Sequence, residues 1–308
     1  MIAYDTTGER VLGLEGQRSL RWWNANTGQV GREVTHFEAP SAVAESQDVR
    51  TLATMTEGSD DVRIWDAESG QIIKELSTGT EPFATALSAD GGLLAWLGRH
   101  PIPVIWDMSN GKRLVELKGH QAPPIAVSWH PRLPILATGG RDLTARVWDA
   151  RTGRAPHVLR GHTAFVFHVA WDPSGERLAT CSADQTAVIW DAQSGRRVRT
   201  LSMAPDECVG VIWSPDGKWF VGGSPDNIAV WRDVDATLLF RIGRELGTFG
   251  VFRPRRPHFI ANLSDGRSVV YTLDLDELIA LARSRLTRTL TPDECRQYLH
   301  VEACPGGP

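Results

Sequence analysis

The sequence predicts an all-β fold, a seven-bladed β-propeller of four-stranded antiparallel blades, and three observations point to it. An aromatic residue followed by a turn recurs at Trp23-Asn24, Trp65-Asp66, Trp106-Asp107, Trp148-Asp149, Trp190-Asp191, Trp231-Arg232 and Tyr271-Thr272, at intervals of 40 to 42 residues. Inside each interval, short stretches of period-two apolar residues are separated by turn residues. The composition, 12 Trp and 29 Gly against 3 Tyr, suits a structural tryptophan used once per unit. At 308 residues the chain is too long for one simple core, and a modular ring removes that difficulty.

One unit, residues 157–195, shows why each element forms. Val166, His168 and Ala170 alternate with Phe167, Val169 and Trp171, which reads as an inner strand. Asp172-Pro173-Ser174-Gly175 is a turn, with Pro presetting φ and Gly taking a positive φ. Leu178–Cys181 is a short buried strand, Ala183-Asp184-Gln185 a turn, and Ala187–Trp190 a third strand. Ser194-Gly195 turns the chain into Arg197–Leu201, an outer strand half in water. The first turn recurs as Ser214-Pro215-Asp216-Gly217 and Ala89-Asp90-Gly91-Gly92. Inner strands are expected near 1–5, 41–46, 83–89, 125–130, 166–172, 208–214 and 248–254.

The two ends depart from the pattern. Aligning Tyr4-Asp5 with Trp171-Asp172 puts Met1 in the middle of the first inner strand. After Leu273, where the outer strand of the last blade is due, Asp274-Leu275-Asp276-Glu277 reads as a helix start. First and last blades are therefore expected to be incomplete, and the chain to be the C-terminal part of a longer protein or to have a start assigned too late. The expected domains are a propeller over 1–274 and a short C-terminal helical tail over 275–308. In that tail Leu275, Leu278, Ile279, Ala282 and Leu286 share a face, and Thr291-Pro292-Asp293-Glu294 forms a capping box.

Composition excludes several classes. Lys+Arg is 33 and Asp+Glu 37, a net charge of −4, so no nucleic-acid partner is expected. No stretch approaches the roughly 18 apolar residues of a membrane helix, and Met1–Asp5 carries no secretory pattern, so a cytoplasmic location and no membrane partner are expected. Cys181, Cys208, Cys295 and Cys304 form no CxxC pair and no Cys/His cluster of ligand spacing. They read as unpaired thiols of a reducing compartment, and no metal or other cofactor is expected. GxxxxGK[ST], GxSxG and HExxH are all absent, and Arg141-Asp142-Leu143 falls in a blade turn.

On the registered tryptophans, residues 1–274 resemble the WD-repeat β-propeller family. Two units carry its internal set at identical spacing: His120, Thr138, Asp142 and Trp148, then His162, Thr180, Asp184 and Trp190. The resemblance implies that each set is a hydrogen-bonded brace, not a hydrolase triad. Trp96 and His100 in blade three, Met55 in blade two and the missing Gly-His of blade six depart from it, and those blades are expected to rely on apolar packing. The resemblance also implies a partner-binding face at the loops leading into inner strands and the turns holding the Asp. Here those residues are Phe165, Phe167, Pro123, Pro124, Ile125, Arg141, Ala183, Glu81, Phe83 and Glu207. The run 277–299, with Cys304-Pro305, resembles the C-terminal end of large bacterial WD-repeat signalling proteins of the STAND type. The expected function is a non-catalytic scaffold or sensor for a protein or peptide, monomeric or part of a larger chain. The alternative is a propeller hydrolase or lyase with its site in the central channel.

Overall fold

The computed structural model describes residues 2–274 apart from 6, 16–18, 36–39, 47, 57, 80–81, 226, 233–236, 244–245, 254–257 and 264–267, and also Glu277 and Ala280. The chain divides into two compact units, Met1–Tyr271 and Thr272–Pro308. The first is a succession of antiparallel meanders. Blade one is β1 (Ile2–Tyr4), β2 (Arg10–Glu15), β3 (Ser19–Asn24) and β4 (Val30–Thr35); blade two is β5 (Pro40–Glu45), β6 (Thr51–Thr56), β7 (Asp61–Asp66) and β8 (Ile72–Ser77). Blade three is β9 (Pro82–Leu87), β10 (Leu93–Gly98), β11 (Val104–Asp107) and β12 (Lys112–Glu116); blade four is β13 (Pro124–Trp129), β14 (Ile135–Gly140), β15 (Ala145–Asp149) and β16 (His157–Leu159). Blade five is β17 (Val166–Trp171), β18 (Arg177–Ser182), β19 (Thr186–Asp191) and β20 (Arg197–Ser202); blade six is β21 (Gly210–Trp213), β22 (Trp219–Gly223), β23 (Asn227–Arg232) and β24 (Thr237–Gly243). A last sheet has three strands, β25 (Leu246–Phe252), β26 (His258–Leu263) and β27 (Ser268–Thr272).

Seven blades were expected, with the first and last incomplete; the structure has six four-stranded blades, and the last sheet has three strands among the described residues. The first blade, expected incomplete, has all four strands, because Ile2–Tyr4 is enough to pair with Val11–Gly13. The expected tail over 275–308 lies outside the described residues save for Glu277 and Ala280, which are both helical.

Inner strands lie side by side in the order β5, β9, β13, β17, β21, β25, β1. The ring is tied between its last and first sheets by Arg253, whose guanidinium donates to Asn26 Oδ1 at 2.7 Å. The apolar core is divided among the junctions: one cluster joins blades two and three, others three and four, four and five, and five and six. A sheet buries its face only against its neighbour, so the ring is the condition for each blade's stability. Three tryptophans at the foot of the inner strands fasten these junctions. Trp129 Nε1 donates to Ala86 O at 2.9 Å, Trp171 to Ser128 O at 3.1 Å and Trp213 to Ala170 O at 3.3 Å, each to the preceding blade.

The turns follow their residues. Gly91, Gly175 and Gly217 have φ of 70°, 79° and 70°. At Gly175 space also demands glycine, since a Cβ there would lie 2.1 Å from His130 Nε2 of the neighbouring blade. Carboxylates in these turns bond the backbone: Asp90 accepts from Gly92 N–H at 2.9 Å and Asp216 from Lys218 N–H at 3.1 Å.

Two expectations change. In blade one the buried tryptophan is Trp22, not the registered Trp23; its indole donates to Ala67 O at 3.3 Å, joining blade one to blade two. Cys181 and Cys208, read as unpaired thiols, form a disulfide with Cα atoms 5.2 Å apart. They are 27 residues apart in sequence, and only the ring places the second strand of blade five against the segment leading into blade six.

Candidate functional site

In blades four and five the predicted sets close into continuous hydrogen-bonded chains. His120 Nδ1 lies 2.8 Å from Asp142 Oδ2 and its Nε2 2.7 Å from Thr138 Oγ1, while Trp148 Nε1 donates to Thr138 Oγ1 at 2.8 Å. In blade five the corresponding distances are 2.8 Å for His162–Asp184, 2.7 Å for His162–Thr180 and 2.9 Å for Trp190–Thr180. The carboxylate accepts from Nδ1–H, so Nε2 accepts from the threonine hydroxyl, and the hydroxyl oxygen accepts the indole N–H. Burial pushes the His120 pKa down against the pull of Asp142. Burial works against ionisation of Asp142 and Asp184. Hydrogen bonds from Gln121 N–H and Thr144 to the first, and from Thr186 and Thr163 N–H to the second, still hold both below the ordinary carboxylate range. Both imidazoles are buried, with each ring nitrogen engaged, so neither offers a base to a substrate.

The other blades solve the same problem differently. In blade two Trp65 Nε1 donates at 2.7 Å to Thr54 Oγ1, one position before the expected Met55. In blade three Trp96 and Trp106 bury indole N–H groups that have no partner among the described residues, and the Arg113 guanidinium lies 5.4 Å from the Trp106 ring. In blade six Phe220 stands 4.9 Å from Trp213 and 5.8 Å from Trp231, and Asp206 accepts from Ser224 and Asn227.

The central channel carries Glu45 and His168, which line one cavity of about 620 Å³ with Thr85, Ser128, Trp129 and Phe252. Burial pushes Glu45 up to about 7, with a backbone N–H pulling the other way, and pushes His168 down to about 4. Asp172, at the adjoining cavity of about 640 Å³, is held by Arg177 at 3.0 Å. No arginine is among the described residues lining either cavity.

The Glu45 environment gives a pH test. The folded chain keeps a proton that the unfolded chain loses above its ordinary value of 4.5, so this stabilisation is present at low pH and fades as pH rises through about 7. Glu45→Gln is neutral throughout. Its stability relative to wild type should be near zero below about pH 4.5 and grow to roughly 1–3 kcal/mol above about pH 8, read by urea unfolding. His168 acts in the opposite sense at lower pH but is common to both proteins and cancels in the difference. A difference that does not change with pH refutes the burial of Glu45.

The face bearing the loops into inner strands and the turns of Asp142 and Asp184 brings several predicted residues together. Phe165 is 42% exposed, its ring centroid is 6.5 Å from that of half-buried Phe167, and Arg141 places its guanidinium 5.8 Å over Phe165. Phe165 O accepts from Ala183 N–H at 3.0 Å, and Arg141 N–H donates to Pro123 O at 3.2 Å, so backbone bonds hold this group. Pro123 and Ile125 line a small cavity with Arg141, while Pro124 is buried in β13. Glu207 is exposed on the segment leading into blade six. Glu81 and the side chain of Phe83 lie outside the described residues.

Sequence reasoning missed a pattern here. The inner strands bulge between Pro124 and Ala126 and between Val166 and His168, leaving Ile125 and Phe167 as the extra residues, 42 apart. A bulge re-aims the side chain it carries. Val209, a further 42 along and 38% exposed, continues the spacing just ahead of β21. The signal was the spacing of apolar residues just ahead of each inner strand.

Ring, braces and exposed aromatic face define a class: an all-β propeller with buried polar braces within its blades. Residues 111–149, 153–191 and 195–232 match the family described as WD domain, G-beta repeat. These three WD40 repeats and the arrangement of the sheets support a WD-repeat propeller family, whose propellers are generally non-catalytic scaffolds that bind protein partners. The second match runs from the outer strand of blade four through the third strand of blade five, so the sequence repeat is offset from the blade by one strand. No curated protein matches the chain. Among the described residues no helix is long and apolar enough to cross a membrane.

Proposed function

We propose that this chain is a non-catalytic binding module, a scaffold or sensor propeller that docks a protein or peptide on the face of Phe165, Phe167, Ile125, Pro123, Arg141 and Glu207 and serves a bacterial signalling protein in the cytoplasm. The observation that carries the reading is the exposed Phe165 with the Arg141 guanidinium 5.8 Å from the centroid of its ring, on backbone held by Ala183 and Pro123. Exposed aromatics and arginines are the residue types that dominate binding energy at interfaces. The His–Asp–Thr–Trp sets support it from the other side, because a brace with every polar atom engaged is rigidity rather than chemistry. The resemblance of 277–299 supports the signalling context. The Cys181–Cys208 bridge weighs against the cytoplasm, since such bonds persist in oxidising compartments, and trapping the thiols in cells decides the location.

The test uses a partner first isolated with the full chain from its native cells and then purified. Phe165→Ala combined with Arg141→Ala should weaken it by about tenfold or more in calorimetric titration. Both positions are exposed, so the melting temperature should stay within about 2 °C. Unchanged affinity removes this face from the binding site.

A further inference from the structure

We infer that the central channel holds a small-molecule site, in which Glu45, Thr85, Ser128 and His168 take an uncharged polyhydroxyl compound, a sugar or a nucleoside, against Trp129 and Phe252. The site is separate from the docking face and does not depend on it.

The four polar residues break the repeat at four different positions. Ala42, Ala84, Ala126, His168 and Gly210 follow one another at 42 residues and pair in the same register with Met55, Leu97, Gly139, Cys181 and Gly223. Histidine in blade five thus stands where four other blades have alanine or glycine. By the same count Glu45 takes the place held by Leu87, Trp129, Trp171 and Trp213. Thr85 takes that of Val43, Val127, Val169 and Val211, and Ser128 that of Ala44, Ala86, Ala170 and Ile212. These departures come from blades two, three, four and five, and all of them line one cavity of about 620 Å³. That volume falls within the roughly 300–1,000 Å³ of small-molecule sites, where a few polar groups stand in an apolar wall.

The chemistry of the wall selects the ligand. His168 makes no hydrogen bond among the described residues, and its Nδ1 is buried without a partner there. An unpaired buried histidine costs stability where alanine would serve, which points to a partner from outside the chain. Ser128 gives its carbonyl to Trp171 and leaves its hydroxyl without a partner among the described residues. Thr85 donates to Ala95 O at 2.9 Å and keeps an acceptor lone pair. Burial leaves His168 uncharged at neutral pH and Glu45 near its midpoint. A neutral imidazole, a hydroxyl and a protonated carboxyl each donate and accept, and a ligand hydroxyl answers either polarity. No lysine or arginine is among the described residues of the wall, so a phosphate finds no cation there. Trp129 spends its indole N–H on Ala86 O, so its ring and that of Phe252 are apolar surface for the C–H face of a sugar or the plane of a base.

Saturation-transfer NMR on the full chain, with monosaccharides, nucleosides and their phosphate esters at millimolar concentration, tests this, and calorimetry measures those that bind. A sugar or a nucleoside should bind, and its phosphate ester should bind at least about tenfold more weakly, since its charge has no partner in the cavity. His168→Ala and Ser128→Ala restore residues that other blades carry at these positions, so melting should be unchanged or raised, while affinity should fall at least about fivefold in each. Binding of free sugars identifies the ligand as a sugar, and binding of nucleosides alone identifies it as a nucleoside. A panel in which nothing binds overturns the inference. A phosphate ester that binds as tightly as its parent also overturns it, as does a binder indifferent to both substitutions.

Discussion

Trp148→Ala is expected to cost about 3–5 kcal/mol of folding stability, among the largest effects of any single change in this protein. Trp148 is fully buried at the junction of blades three and four, packed with Ala95, Ile105, Leu117 and Leu136. Removing the indole leaves a cavity in a junction whose two sheets depend on each other, and Thr138 loses the donor of its hydroxyl oxygen. Trp148→Phe separates the two contributions. It keeps most of the ring and removes the N–H, so it should cost about 1–2 kcal/mol for the broken chain alone. The control is Trp106→Phe in blade three, where the indole N–H has no partner among the described residues. That change should cost less than half as much as Trp148→Phe. Urea unfolding with an unchanged m-value gives both numbers. Equal costs at the two positions would show that the brace in blade four adds nothing beyond packing.

Breaking the Cys181–Cys208 bridge is the second large effect, expected at about 2–4 kcal/mol. The bond closes a loop of 27 residues and lies in the apolar cluster of blades five and six with Met203, Val211 and Trp213. Cys208 N–H also donates to Ser182 O at 3.1 Å, so the bridge pins the segment leading into blade six beside the turn of Asp184. Cys181→Ala with Cys208→Ala should lower the melting temperature by several degrees, and a reducing agent should do the same to the wild type but not to the variant. Alkylation of the native chain, read by mass spectrometry, should leave Cys181 and Cys208 unmodified until reduction. Labelling of both without a reductant would show that the bridge is not formed.

The fold was legible where each blade solves one local problem with one set of residues. A strand must reverse, so Gly91, Gly175 and Gly217 stand where φ is positive. A buried indole needs an acceptor, so threonine stands ten residues before Trp148 and Trp190. The substitutes were not legible, because an acceptor need only be close in space. Thr54 answers Trp65 from one position off register, and a carbonyl of blade two answers Trp22 of blade one. The feet of the inner strands stood between these cases. Trp129, Trp171 and Trp213 each precede a turn bearing Pro131, Pro173 or Pro215, a spacing visible in the chain, while the carbonyls they reach belong to another sheet. Of the candidate face, Phe165 and Arg141 were readable as residue types at loop positions.

By itself the sequence determined what is settled within about forty residues: strand periodicity, the turns, the braces of blades four and five, and a unit that cannot bury both faces alone. Tertiary structure decided whatever depends on which units become neighbours. It completed the first blade, gave the last sheet three strands among the described residues, joined Cys181 to Cys208, and set Arg99 and Arg141 around one cavity. The physical reason is that a repeat encodes its own hydrogen bonds in its own residues, whereas the contacts between repeats form only when the ring brings distant segments within ångströms of one another.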